Sequence, residues 1–233
     1  MREIVFDTET TGLNPLGGDR MVEIGCIEIF NRVETGRHYH AYFFPERDMP
    51  FEAEMVHGLS NAFLSDKPLF ADKAEELLDF LEDSPLVAHN ASFDFGFLNY
   101  ELERCGRQTV SMSRMRDTLQ LARTKHPGAK HSLDALCVRF GIDRSHRVKH
   151  GALLDAQLLA QVYVELTGGR QIGLGLVAEA GTVAVQRSSG PVITREPRPA
   201  RPHAPLAAEL ERHRAFIAKL VNPLWERFAL TQV

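Results

Sequence analysis

The chain lacks any stretch near the ~18 consecutive apolar residues that a membrane-spanning helix needs. Its opening residues, MREIVFDTET, also lack the apolar core and small-residue cleavage site of a secretory signal. Cysteine is scarce: Cys26, Cys105 and Cys137 are odd in number, far apart and form no CxxC pair. That argues against a zinc site or a disulfide framework and suits small buried thiols in a reducing cytoplasm. No internal repeat is visible. These absences lead to the expectation of a cytoplasmic protein with no membrane partner.

A surplus of basic charge is missing too. The chain carries 27 Lys and Arg against 31 Asp and Glu. Nine basic and five acidic residues fall from Gly169 onward, a net of +4, which leaves 18 and 26 before it, a net of −8. An acidic body does not grip phosphates unaided. If this one handles nucleic acid, bound cations must supply much of the positive charge.

What is present, within 233 residues, is enough pattern for one good-sized domain plus an appendage. Arg2 to Asp7 reads as a buried strand, and the turn-rich TTGLNPLGGD follows it. Met21 to Phe30 and His38 to Phe44 read as a second and a third strand, antiparallel through short connections. Phe70 to Leu81 has Leu77, Leu78 and Leu81 at helical spacing, and Pro85 to Ala88 is a short apolar strand. Ser92, Asp117 and Ser132 are candidate helix caps, the last for a helix ending near Gly141, and Gly151 to Leu166 is a long helix closed by Gly168 and Gly169. The order predicts an α/β fold: a mixed sheet of three antiparallel strands and then parallel strands, flanked by helices.

The predicted domains are 1–168, a linker at 169–204 and a helical tail at 205–233. Five of the twelve prolines lie between Pro191 and Pro205, which gives the linker a flexible character. Beyond it, Leu206, Leu210, Ile217, Leu220 and Val221 fall close to one helical face before Pro223.

Four carboxylates stand in telling contexts: Asp7 and Glu9 in DTETTG, Asp94 in HNASFD and Asp155 in HGALLD. Asp7 and Glu9 are two residues apart at a strand end, which points both to one side of the sheet. Carboxylates held together repel, and a divalent cation such as Mg²⁺ removes that penalty. Two such ions ~3.5–4 Å apart can clamp both oxygens of a phosphodiester displacement. Taken singly, each acid has an ordinary explanation as a turn cap, a loop residue or a wet helix face. His150 sits just before the last helix. A continuous helix would separate it from Asp155 by ~140°, so the helix is expected to begin near Gly151 with His150 in the preceding loop. Histidine as a residue type titrates near neutrality and suits a general base.

DTETTGLNP, the HGL at His57, HNASFDFGFL and HGALLDAQLLA, in this order across Arg2 to Leu166, resemble the motifs of the DEDD exonucleases of the His-containing subclass. The resemblance implies a ribonuclease-H-like fold and a 3′→5′ exonuclease using two divalent cations, Mg²⁺ or Mn²⁺. By motif, Asp7 would bridge both ions, Glu9 and Asp155 would complete the first site, and Asp94 would support the second. His150 would take the proton from the attacking water, and a nucleoside 5′-monophosphate would leave. Thr8, Thr10, Gly12, Leu13, His57, Asn90 and Phe93, with Asp7, Glu9 and Asp155, would line the path of the strand. Leu13 could instead pack in the core, Asn90 satisfy a turn and Phe93 be buried, while His89 reads as structural.

The tail distinguishes members of the family. Gln171, Leu174 and Leu176, within 171–176, resemble the Q-x-x-L-x-L peptide that bacterial sliding clamps bind. The helix after the linker, with Leu224 and Trp225, would dock on a polymerase catalytic (alpha) subunit, as in the proofreading members that act on the DNA 3′ end at a replication fork. A small accessory subunit is a possible further partner. Two rivals stand beside proofreading. One is an RNA-trimming exonuclease of the same superfamily, which would not need this tail. The other is a non-catalytic adaptor between clamp and polymerase, against which the complete acidic set argues.

Overall fold

Ile4, Val5 and Phe6 are almost fully buried in succession, so the strand that carries them must be covered on both faces. The computed structural model describes residues 1–145, 147, 149–169 and 205–221. The chain divides into two compact units, Met1–Ala178 and Glu179–Val233, each taken here by itself.

In the first unit, β1 (Arg2–Thr10) lies at the centre of a five-stranded sheet. It pairs antiparallel with β2 (Met21–Phe30), which pairs antiparallel with β3 (Val33–Tyr42). On its other side β1 runs parallel to β4 (Leu86–Ala88), and β4 runs parallel to β5 (Met115–Asp117), giving the order β3-β2-β1-β4-β5. Between the strands come α1 (Phe51–His57), α2 (Asn61–Leu64), α3 (Phe70–Leu81) and α4 (Ala91–Arg104). Then follow α5 (Thr118–Lys125), α6 (Leu133–Phe140) and α7 (Ala152–Leu166).

Alternation along β1 sends Ile4 and Phe6 into a core beneath α3 and α4, with Leu77, Leu81, Phe95 and Leu98. Val5 goes to the opposite face, where Ala156, Leu159 and Tyr163 of α7 cover it. The same period of two places Asp7 and Glu9 on the α7 face and Thr8 on the α4 face. β4 pairs with β1 only at Ile4 and Val5. The acid-bearing end of β1 therefore runs past its parallel neighbour, where a sheet of this kind opens a crevice.

Several local readings hold. β2 and α3 have the expected bounds, the side chain of Asp117 accepts from Leu119 N, and that of Ser132 accepts from Ala135 N. Others need correction. The third strand begins at Val33 rather than His38, because Asn31 and Arg32 both take positive φ (51° and 68°) in a tight two-residue hairpin turn. Ser92 lies inside α4; the residue that starts the helix is Asn90, in a left-handed conformation (φ 62°, ψ 50°). Leu13 is 84% exposed, which rules out core packing.

In the second unit, α8 (Ala207–Ile217) is held at its start by the Glu209 carboxylate, which accepts from Leu206 N (3.0 Å). Leu206, Leu210, Leu220 and Val221 are exposed, and the helix ends four residues short of Val221, the last residue of the expected apolar face. Gln171, Leu174, Leu176, the proline-rich linker and Leu224–Trp225 lie outside the described residues. No helix among the described residues is long and apolar enough to cross a membrane.

Candidate active site

Three elements bring acids to the open end of β1. Asp7 and Glu9 come from β1 itself, Asp94 from the first turn of α4 and Asp155 from the first turn of α7. Glu9, Asp94 and Asp155 are buried, and Asp7 is partly so. Burial disfavours the charged form of a carboxyl, and a like charge nearby adds to that. Burial, then Asp94, Glu9 and Asp155, hold the Asp7 carboxyl well above the usual carboxylate range. Glu9 is pushed up to about 8 by burial, then by Glu23, Asp155 and Asp94, with Arg147 partly offsetting them. Asp94 is pushed up to about 7, chiefly by burial, although the Thr8 hydroxyl donates to its Oδ1 at 2.8 Å.

Gly25 explains how α7 comes so close. It is the register partner of Asp7 on β2, and a Cβ there would lie 2.3 Å from the backbone of Leu153. Only glycine lets the first turn of α7 settle on the strand at this point, and that turn carries Asp155.

His150 precedes α7, outside the helix, and its side chain is 49% exposed. Its Nδ1 lies 3.3 Å from Asp155 Oδ2. One ligand atom each from Glu9, His150 and Asp155 lie within 4.8 Å of one another, a spacing that suits a single cation. Hard oxygen donors with one imidazole fit a divalent cation.

Arg147 was not singled out from the sequence. Its guanidinium grips Asp155 with Nε to Oδ1 at 2.5 Å and Nη2 to Oδ2 at 2.7 Å, and it touches His150 Nδ1 at 2.8 Å. Its other prong reaches Asp134 Oδ1 on α6 at 3.0 Å. Glu23 was also missed: it is buried, faces Glu9 in register and bonds His40 Nε2 at 2.7 Å. A signal existed for Glu23, since it lies two residues before Gly25 on a strand paired with β1. None existed for Arg147, whose position depends on how the segment between α6 and α7 folds back.

The remaining candidates divide. Thr8, Thr10, Gly12, Leu13, His57 and Phe93 line one cavity of about 480 Å³ beside the acids, with Pro50, Ala53 and Val56 of the α1 region also in its wall. The His57 ring accepts from Leu59 N at 3.0 Å through Nδ1, and burial favours its neutral form. Phe93 is half-buried against Phe97, with ring centres 5.0 Å apart. Asn90 does not line this cavity; its backbone N–H donates to Asp117 Oδ1 at 3.1 Å. His89 has a structural partner, Thr118 Oγ1, at 2.9 Å. A larger cleft of about 720 Å³ on the outer side of α6 contains a single acid, Asp134, so size does not locate the chemistry.

A mixed sheet with acids gathered at the end of its central strand is the architecture of ribonuclease-H-like nucleases, and comparison with known proteins agrees. The RNase T exonuclease family model matches residues 4–163. The nuclease domain of 3′hExo, a DEDDh family member bound to rAMP, shares the fold (TM-score 0.62, 15% identity, 71% of this chain and 91% of that one). Exonuclease X in complex with 5′-overhanging duplex DNA aligns with a TM-score of 0.56 at 25% identity, over 70% of this chain and 90% of that one. DNA polymerase III subunit epsilon of Rickettsia felis is 47% identical over 228 residues, 95% of this chain and 98% of that protein. Its counterpart in Salmonella typhimurium is 50% identical over 176 residues, 72% of each chain. The chain belongs to the exonuclease family and, within it, to the DNA polymerase III epsilon subunits.

Proposed function

We propose that this protein is a 3′→5′ exonuclease that removes mispaired 3′-terminal nucleotides during DNA replication, through two divalent cations held by Asp7, Glu9, Asp94 and Asp155. One observation carries the reading: buried carboxylates from three separate elements meet where like charges repel, with a half-exposed histidine beside them. Such a cluster is unfavourable without cations and suited to phosphodiester chemistry with them. When bound, the ions supply charge stabilisation to the attacking and leaving oxygens.

The protein's own groups do the rest. Asp7 feels the charges of Asp94, Glu9 and Asp155, Glu9 and Asp155 lie with His150, and Asp94 is held by Thr8. His150, half-exposed at the edge, takes the proton from the attacking water. The cavity beside them takes the terminal nucleotide: Thr10 and Gly12 offer backbone, Phe93 offers a ring face, and exposed Leu13 wedges at the terminal bases. A mismatched end frays more cheaply than a paired one, so part of the selectivity resides in the DNA. The tail from 205 onward ties the exonuclease to the polymerase catalytic subunit, and residues 171–176 reach the sliding clamp. Tethering of this kind raises the local concentration at the primer end.

The test is a 3′-mismatched primer on DNA and RNA side by side, with Mg²⁺ and with Asp7→Ala as control. Release of nucleoside 5′-monophosphates is expected, faster from mismatched than from matched DNA. No release by the intact protein with metal present would sink the reading, and a preference for RNA would redirect it to RNA trimming. Removal of residues after about Gly169 should spare hydrolysis of free single strands and abolish polymerase binding.

A further inference from the structure

Both oxygens of Asp155 are already taken. The Arg147 guanidinium forks onto them at 2.5 and 2.7 Å, in the two-pronged geometry that gives the strongest carboxylate pairs. The Arg147 side chain is only 10% exposed, and its Nη2 also contacts His150 Nδ1 at 2.8 Å. Two of the three groups spaced for a cation are thus in direct contact with a resident positive charge. Among the described residues, Arg147 is the only Lys or Arg that forms an ion pair with any of the four clustered carboxylates. A divalent ion arriving at Asp155 meets both an occupied ligand and a repelling charge. The guanidinium has somewhere else to hold: Asp134 on α6, at 3.0 Å, is half-exposed and is not one of the four clustered acids.

We infer that Arg147 is a positioning residue that serves as the counter-cation of the metal-free cluster. It keeps Asp155 in place and must release it when divalent cations enter, while its Asp134 anchor holds it beside the site. The inference rests on the divalent-cation reading of the cluster. It implies that cation entry is a competition, and that the arginine raises the cation concentration needed to load the site. A guanidinium freed beside a loaded site is well shaped to meet a phosphate oxygen of the incoming strand.

Calorimetric titration of the full chain with Mn²⁺, without DNA, tests this on wild type, Arg147→Gln, Arg147→Lys and Asp155→Asn. Arg147→Gln should bind Mn²⁺ roughly tenfold more tightly than wild type. Its metal-free form should melt lower, with the difference shrinking at saturating Mn²⁺. Arg147→Lys keeps the charge without the fork and should fall between. Unchanged or weaker Mn²⁺ binding by Arg147→Gln overturns the inference. If that variant does not fold, Arg147→Lys decides, and affinity no tighter than wild type overturns it equally. Asp155→Asn separates this failure from failure of the underlying reading. If it binds Mn²⁺ as wild type does, or wild type binds none, the divalent-cation reading fails and the inference goes with it.

Discussion

Two groups of buried acids in this protein are treated in opposite ways. Glu101, on α4, is almost fully buried, and Arg20 meets both its oxygens, Nε to Oε1 at 2.7 Å and Nη2 to Oε2 at 2.9 Å. Met21 N also donates to it at 3.2 Å, and Arg20 has a further prong on Glu46 at 2.8 Å. Every charge there is answered. At the end of β1, burial and nearby carboxylates raise the proton affinity of Asp7, Glu9 and Asp94, and among the described residues the one guanidinium ion-paired with the cluster is spent on Asp155. The first arrangement fixes α4 against β2. The second leaves a charge deficit that a cation removes, and such a deficit marks a site that binds something.

The contrast can be tested from both sides. The largest effect should come from Asp7→Asn: exonuclease rate with Mg²⁺ falls by about three orders of magnitude or more, since several kcal/mol of charge stabilisation are lost. The same change relieves repulsion, so the chelated protein should melt higher than wild type. A lower melting temperature would mean that Asp7 is a structural acid like Glu101. Next comes Glu101→Ala, which strips a buried guanidinium of its two-pronged partner and leaves it only Glu46 as an acidic partner, and should destabilise folding by about 3 kcal/mol in urea titration, with or without metal. A loss smaller than about 1 kcal/mol would show that the pair is not the stabilising counterpart described here. The smallest of the three is Gly25→Ala, which pushes α7 off β2. A displacement near 1 Å at a reacting centre can cost about a hundredfold in rate, so activity should fall by about that factor, with Mn²⁺ affinity weakened and the fold retained by circular dichroism. Unaltered activity would show that Asp155 does not depend on this close approach.

Sequence made some of these features legible and hid others for physical reasons. β2 and α3 were readable because long apolar patterns repeat at one period. Asp117 and Ser132 were readable as caps because capping is local. α1 and α2, of seven and four residues, are too short to carry a period, and both passed unnoticed. The early part of β3, Val33 to Arg37, is exposed and polar, so no alternation marks it. Asn90 could not be told from Ser92 as the helix start, because its left-handed backbone is visible only in the fold. The acids of the candidate site stood out through motif and spacing, and the fold brings them together from three elements. Arg147 and Gly25 did not stand out. One matters through an ion pair made after folding, the other through the absence of a side chain where a helix must pass.

The pH dependence of stability tests the charge deficit most directly. Glu9 at about 8 and Asp94 at about 7 hold protons that the unfolded chain releases near pH 4. Raised carboxyl values mean that the folded state binds more protons across this window, so metal-free stability is greatest at the acid end and falls as pH rises toward about 8. Divalent cations should cancel that fall. The measurement is the melting temperature of the wild-type protein in EDTA and in Mn²⁺ at about pH 5.5 and about pH 8. The expected result is a stabilisation by Mn²⁺ that is several degrees larger at the higher pH. Equal stabilisation at both, or none, would contradict the claim that the acids at the end of β1 await a cation.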